Sequence, residues 1–127
     1  MARILVVDDD DGMLQILNSI LSSAGHEVLE ASDSDEGKRA YLENEVDLVI
    51  TDFFMPTEGG LEVVRAVRHR NPDAKIILIS AADIRDGVDL PAFAKQYGAQ
   101  RALTKPIVST VLLDAVADLL RDSGTKV

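Results

Sequence analysis

The sequence predicts a doubly wound α/β domain: a five-stranded parallel sheet with five helices, packed on both of its faces. Three observations lead there. The chain has 127 residues, the length of one domain with one real core. Its β-branched runs are continuous rather than alternating, so both faces of each strand are buried, as in a parallel sheet. Segments of helical period separate those runs, and such alternation implies right-handed crossovers.

The elements follow in order. Ile4-Leu5-Val6-Val7 opens the chain as a central strand. Met13, Leu14, Leu17, Ile20, Leu21 and Ala24 form the stripe of a one-sided helix, and Gly25 is its stop. Glu27–Ala31 is a more polar strand, suited to a place near the sheet edge. Ser34 or Asp35 caps a second helix that runs to about Asn44. Asp47-Leu48-Val49-Ile50-Thr51 is the third strand, ended by Asp52. Leu61, Val64 and Val67 mark the third helix, which Asn71-Pro72 terminates. Ile76-Ile77-Leu78-Ile79 is the fourth strand, with Ser80 at its end. A short helix starts at Pro91, a residue suited to a first turn, and ends at Gly98. Arg101–Thr104 is the second edge candidate. Ser109 or Thr110 opens the fifth helix, which runs to about Arg121. Leu112, Val116, Leu119 and Leu120 are its core stripe, while Val111, Leu113, Ala115 and Ala117 widen the apolar arc. That surplus suits either a thick helix edge or a contact face for a partner protein or a second copy, as in a homodimer. Residues 1–122 read as the domain and 123–127 as a short tail.

Composition excludes several classes. Lys and Arg number 13 against 22 Asp and Glu, a net charge of −9. Such a chain repels nucleic acid at long range. Aromatics make up 4% with no tryptophan, which is poor material for stacking bases. No apolar run exceeds four residues, far short of the roughly 20 of a membrane-spanning helix. Asp8–Asp11 interrupt the place where a signal peptide would be apolar. The expected location is cytoplasmic. The absence of cysteine rules out disulfides and thiolate chemistry. His26 and His69 stand on separate elements with no ligand partner in sequence, and both are expected at the solvated surface.

In open parallel sheets, ligands bind beyond the carboxyl ends of the strands. Asp8, Asp9, Asp10 and Asp11 follow the first strand, Asp52 ends the third, Ser80 the fourth, and Thr104-Lys105-Pro106 the fifth. Asp10 and Asp11 are equally suited to capping the next helix. Asp8, Asp9 and Asp52 together are not explained that way. Clustered carboxylates raise one another's pKa unless a cation lies among them. Mg²⁺ is the fitting ion, taking one or two carboxylates and completing its shell with water and phosphate oxygens. Lys105 adds a point charge for a phosphoryl oxygen.

Val6-Val7-Asp8-Asp9, Thr51-Asp52-Phe53-Phe54-Met55-Pro56, Gly59-Gly60-Leu61, Ser80-Ala81 and Thr104-Lys105-Pro106, in this order and each at a strand end, resemble the signature of bacterial response-regulator receiver domains. The resemblance covers residues 2 to 121 and is to the stand-alone, chemotaxis-regulator-like type. It implies the flavodoxin-like strand order 2-1-3-4-5. It implies a two-component signalling role, in which Asp52 accepts a phosphoryl group from a sensor histidine kinase or phosphotransfer protein. Asp8, Asp9, Asp52 and the backbone carbonyl of Phe54 would hold Mg²⁺. Lys105 and Ser80 would contact the phosphoryl group. The implied chemistry is self-catalysed phosphotransfer and autodephosphorylation, not that of an enzyme. The output would be contact with a downstream protein target.

Four features depart from the resemblance. Ala102 stands where the family usually carries Tyr or Phe, so a switch must work by loop movement or through another side chain. Ser80 and Lys105 are 25 positions apart, a few more than the family would have, with the surplus in Asp83–Leu90. Phe54 is bulky where receivers are often polar; it would shade the phosphoryl group from water or simply pack. Ala82, on the other flank, cannot orient a water. Two other readings fit the residues less well. A haloacid-dehalogenase-type aspartyl-phosphate phosphatase needs an acid two residues past the nucleophile, where Phe54 stands. A non-switching pseudo-receiver scaffold draws support only from Ala102.

Overall fold

A computed structural model describes residues 2–53, 59–80 and 90–124. Helices and strands alternate along the chain: β1 (Arg3–Val7), α1 (Asp11–Ser23), β2 (Glu27–Ala31), α2 (Ser34–Glu43), β3 (Leu48–Asp52), α3 (Gly59–Arg70), β4 (Ile76–Ser80), α4 (Leu90–Gln96), β5 (Arg101–Thr104) and α5 (Ser109–Gly124). The strands form one parallel sheet in the order β2-β1-β3-β4-β5. The expected fold class and strand order both hold. β1, β3 and β4 fill the centre and β2 and β5 the edges, as their hydrophobicity dictates.

Successive residues of each strand feed two cores. Ile4, Val6, Leu48, Ile50, Ile77 and Ile79 face α1 and α5 on one side. Leu5, Val7, Val49, Ile76, Leu78 and Ala102 face α2, α3 and α4 on the other. On α5 the core stripe is Leu112, Ala115, Val116 and Leu119, whereas Leu120 is only half-buried. Ala115 therefore belongs to the core rather than to a surplus face. Val111, at 49% exposure, does stand clear of it. α5 also continues past Arg121, through Gly124.

The helix ends have local causes. Asp10 caps α1, its side chain accepting from the Gly12 N–H at 2.9 Å. Gly25, at φ +92°, turns the chain out of the helix as expected. The cap of α2 is Asp33, which accepts from the Glu36 N–H at 2.7 Å, and not Ser34 or Asp35. Ser34 cannot cap because it is already inside the helix and buried against the core. α4 begins at Leu90, one residue before Pro91, and closes at Gly98 with φ +85°. His26 is not a free surface residue. It is half-buried, and its Nδ1 accepts the Ala2 N–H at 3.2 Å. His69 is exposed on α3.

Strand register decides what meets at the carboxyl edge. Val7 lies opposite Thr51, Asp52 opposite Ile79, and Ser80 opposite Thr104. One step past those pairs, Asp8, Asp52, Ser80 and Lys105 collect on a single edge.

Candidate functional site

Each member of the edge cluster is fixed by backbone before its side chain acts. The Asp8 N–H continues the β1–β2 ladder by donating to Ala31 O at 3.1 Å. The Phe53 N–H donates to Ile79 O at 2.8 Å, locking the peptide after Asp52 to β4. The Lys105 N–H donates to Ser80 O at 2.9 Å, and the Lys105–Pro106 peptide is cis. Asp8 is fully buried, Asp52 nearly so at 3% exposure, and Asp9 is exposed.

The side chains converge. Lys105 Nζ lies 3.3 Å from Asp8 Oδ2 and 3.3 Å from Asp52 Oδ2. Asp8 Oδ1 accepts the Asp10 N–H at 2.9 Å. Oxygens of Asp8, Asp9 and Asp52 all lie within 4.8 Å of one another. Burial pushes the Asp8 carboxyl up from its ordinary value, more than the Asp10 amide and Lys105 pull it down. Burial also disfavours the Lys105 ammonium, but the charges of Asp52 and Asp8 outweigh it and its pKa rises. One ammonium thus stays charged among three carboxylates that it cannot fully offset.

Two buried polar atoms at this edge lack hydrogen-bond partners among the described residues. Asp8 Oδ2 has Lys105 at ion-pair distance but no aligned hydrogen bond, and Ser80 Oγ is buried with no partner. Such orphans are rare in the absence of a ligand or ordered water. Three clustered carboxylates, one of them with an unsatisfied buried oxygen, fit a hard divalent cation.

The expected set is therefore largely assembled. Asp8, Asp9, Asp52 and Lys105 meet directly, and Ser80 ends the neighbouring strand. Asp10 is a helix cap, and Asp11 is an exposed residue of the first turn of α1. Phe54, Ala82 and the surplus after Ser80 lie outside the described residues. One contact at the site had no reason in the sequence. A Cβ on Gly60 would meet Asp52 O at 2.1 Å. The sequence offers Gly59-Gly60 only as part of a motif, and the structure supplies the reason: backbone approaches too closely for a side chain at residue 60.

A family profile described as a response regulator receiver domain matches residues 4–117. This chain belongs to the response regulator receiver domain family. It is similar to the transcriptional regulatory protein PrrA of Mycobacterium bovis, 37% identical over 123 residues, which are 97% of this chain and 52% of PrrA. The receiver thus spans about half the length of that curated relative. A receiver domain protein from Clostridium thermocellum superposes with a TM-score of 0.86 at 32% identity, covering 98% of both chains. The response regulator TrrA of Thermotoga maritima, solved in complex with Mg(2+)-BeF, superposes with a TM-score of 0.80 at 34% identity, covering 94% of this chain and 99% of TrrA. The family is one of signalling modules of two-component systems, and receivers bind Mg²⁺ at an acidic pocket of this kind. Receivers interact with kinases and with downstream effectors. No helix among the described residues is long and apolar enough to cross a membrane.

Proposed function

We propose that Asp52 is the phosphoacceptor of this receiver. The observation that carries the reading is the buried Asp52 carboxylate, held 3.3 Å from Lys105 and within 4.8 Å of Asp8 and Asp9 oxygens. A carboxylate oxygen of Asp52 attacks phosphorus of a phosphohistidine on a sensor kinase or phosphotransfer protein. The new P–O bond forms as the P–N bond breaks, and the imidazole leaves with the electron pair and takes up a proton. Such transfers need positioning and charge neutralisation more than covalent help. Rigid strand ends position Asp52. Lys105 Nζ neutralises charge on the phosphoryl oxygens, and the buried Ser80 hydroxyl donates to one of them.

Asp8, Asp9, Asp52 and the Phe54 carbonyl are the residues we assign to Mg²⁺, which when bound screens the phosphoryl charge. A receiver of 34% identity solved in complex with Mg(2+)-BeF supports that assignment. The donor and the downstream target are proteins, and the reaction belongs in the cytoplasm. The test is incubation with Mg²⁺ and acetyl phosphate, followed by intact mass. Wild type should gain one phosphoryl group and Asp52→Asn none. A full gain in the variant would place the acceptor elsewhere.

A further inference from the structure

A cluster of rings joins the residue after Asp52 to α4. The Phe53 ring stands edge-on to Phe93 at 5.4 Å between centroids and tilted against Tyr97 at 4.8 Å. Phe93 and Tyr97 are 5.0 Å apart, so the contacts close into a triangle. Edge-on and tilted arrangements are the ones that the ring quadrupoles favour.

α4 depends on this cluster. Its 7 residues are too few to hold a helix in water. The buried side chains where α4 meets β5 include small ones: Ala94 on α4 itself, Ala99 just after it and Ala102 on β5. Alanine methyls offer little dispersion area, and the half-buried rings add large apolar contacts to the same cluster. Phe53 is in turn clamped, donating its N–H to Ile79 O at 2.8 Å and accepting the Gly60 N–H at 3.1 Å. Its backbone is thereby held to β4 and to the start of α3. Tyr97 has room to respond, because it also lines an open cleft of about 400 Å³ with Leu61, Val64 and Gly98.

We propose that Phe53, Phe93 and Tyr97 relay the phosphorylation state of Asp52 to α4. The inference rests on the reading of Asp52 as acceptor. Phosphorylation adds charge and bulk one residue from Phe53. The 52–53 peptide adjusts, the rings repack, and α4 shifts against β5. The two states differ in ring contacts, which is the differential interaction that a coupled transition requires. The exposed side of α4, with Pro91, Lys95 and Gln96, is the surface so altered.

Tyrosine fluorescence tests the relay. The chain has two tyrosines and no tryptophan, so Tyr41→Phe leaves Tyr97 as the sole tyrosine emitter. The full chain carrying Tyr41→Phe is treated with Mg²⁺ and acetyl phosphate, and intact mass and emission are recorded together. Emission should change as the phosphoryl group is gained. Phe53→Leu in that background should still gain mass and lose most of the emission change. Phe93→Leu should do the same, and serves if Phe53→Leu melts out by circular dichroism. A purely structural role for the rings would lower the melting temperature and leave the response intact, which would overturn the relay. So would unchanged emission in a fully phosphorylated Tyr41→Phe protein. No mass gain in that protein would overturn the Asp52 reading, and the relay with it.

Discussion

A Cβ built on Gly60 would stand 2.1 Å from the carbonyl oxygen of Asp52. The Asp52 carbonyl carbon and Phe53 Cα would be only 2.9 Å away. All three are backbone atoms, so no rotamer change relieves the clash. The first turn of α3 can lie against the end of β3 only because residue 60 has no side chain.

Gly60→Ala should therefore force α3 away from β3. Overpacking typically costs about 1–3 kcal/mol, and a backbone clash belongs at the upper end. The same displacement would disturb Asp52 and slow phosphoryl uptake from acetyl phosphate. Urea denaturation and mass-resolved uptake measure the two effects. A variant as stable and as fast as wild type would mean that α3 yields freely at this point.

The acid cluster makes a prediction about metal removal. Mg²⁺ should bind the folded site and not the unfolded chain, and so stabilise by mass action. At a concentration 100-fold above Kd the gain is about 2.7 kcal/mol, on the order of 10 °C in Tm for a domain of this size. Asp8→Asn should abolish most of this response. The variant keeps an acceptor for the Asp10 N–H and removes a fully buried charge. Lys105 retains Asp52, so it is not orphaned. The metal-free variant should then melt no lower than metal-free wild type. A normal Mg²⁺ response in Asp8→Asn would remove Asp8 from the ligand set.

The fold was legible because its signals are local and redundant. Ile4–Val7, Leu48–Ile50 and Ile76–Ile79 are apolar on both faces, as a central parallel strand requires. The edge cluster was legible because strand ends in such a sheet share one rim, so Asp8, Asp52, Ser80 and Lys105 meet whatever the detail of the loops. Ser34 misled because it too is a good capping residue; tertiary burial turned it inward and left the cap to Asp33. Ala115 misled because a small side chain signals neither core nor surface. The Phe53–Phe93–Tyr97 triangle was not legible, because its members come from two elements with no periodic relation. The same holds for Arg68, whose many partners are backbone carbonyls that any residue supplies.

Arg68 yields a stability prediction remote from the chemistry. From α3 its Nε donates to Gly98 O at 2.9 Å, and its Nη1 to Pro72 O at 2.9 Å and to Ala74 O. Its Nη2 reaches Gln100 Oε1 at 3.2 Å, and that oxygen also accepts the Ile76 N–H at 2.8 Å. The guanidinium thus ties α3 to the starts of β4 and β5. Arg68→Met preserves length and apolar stem but takes the donor from the part-buried Gly98 O, while Ala74 O keeps Gln100 Nε2 and Gln100 Oε1 keeps the Ile76 N–H; a group left buried and unmet costs roughly 1–3 kcal/mol. The expected loss is about 1–2 kcal/mol by urea denaturation, with phosphoryl uptake unchanged at a temperature where the variant is folded. A loss of uptake in a fully folded variant would refute the separation of this network from the site.

The last prediction is a pH dependence set by His26. Its Nδ1 accepts the Ala2 N–H at 3.2 Å, which only an unprotonated nitrogen can do. Burial lowers its pKa below the ordinary histidine value. The unfolded chain, with a histidine pKa of about 6.5, then binds the proton more tightly than the native state. Stability from His26 is complete above that value and is lost as pH falls through it toward the lower folded value. Beyond the folded value the loss is constant. A neutral hydrogen bond is worth about 0.5–1.5 kcal/mol, which bounds the direct part of the effect. His26→Asn keeps an acceptor near the Nδ1 position and does not titrate. Urea denaturation of both proteins across mildly acidic pH isolates the histidine, because the carboxylates are common to the two. Wild type should lose more stability than His26→Asn as pH falls from 7 to 5. Parallel curves would mean that His26 titrates alike in both states and that its bond to Ala2 contributes nothing to the fold.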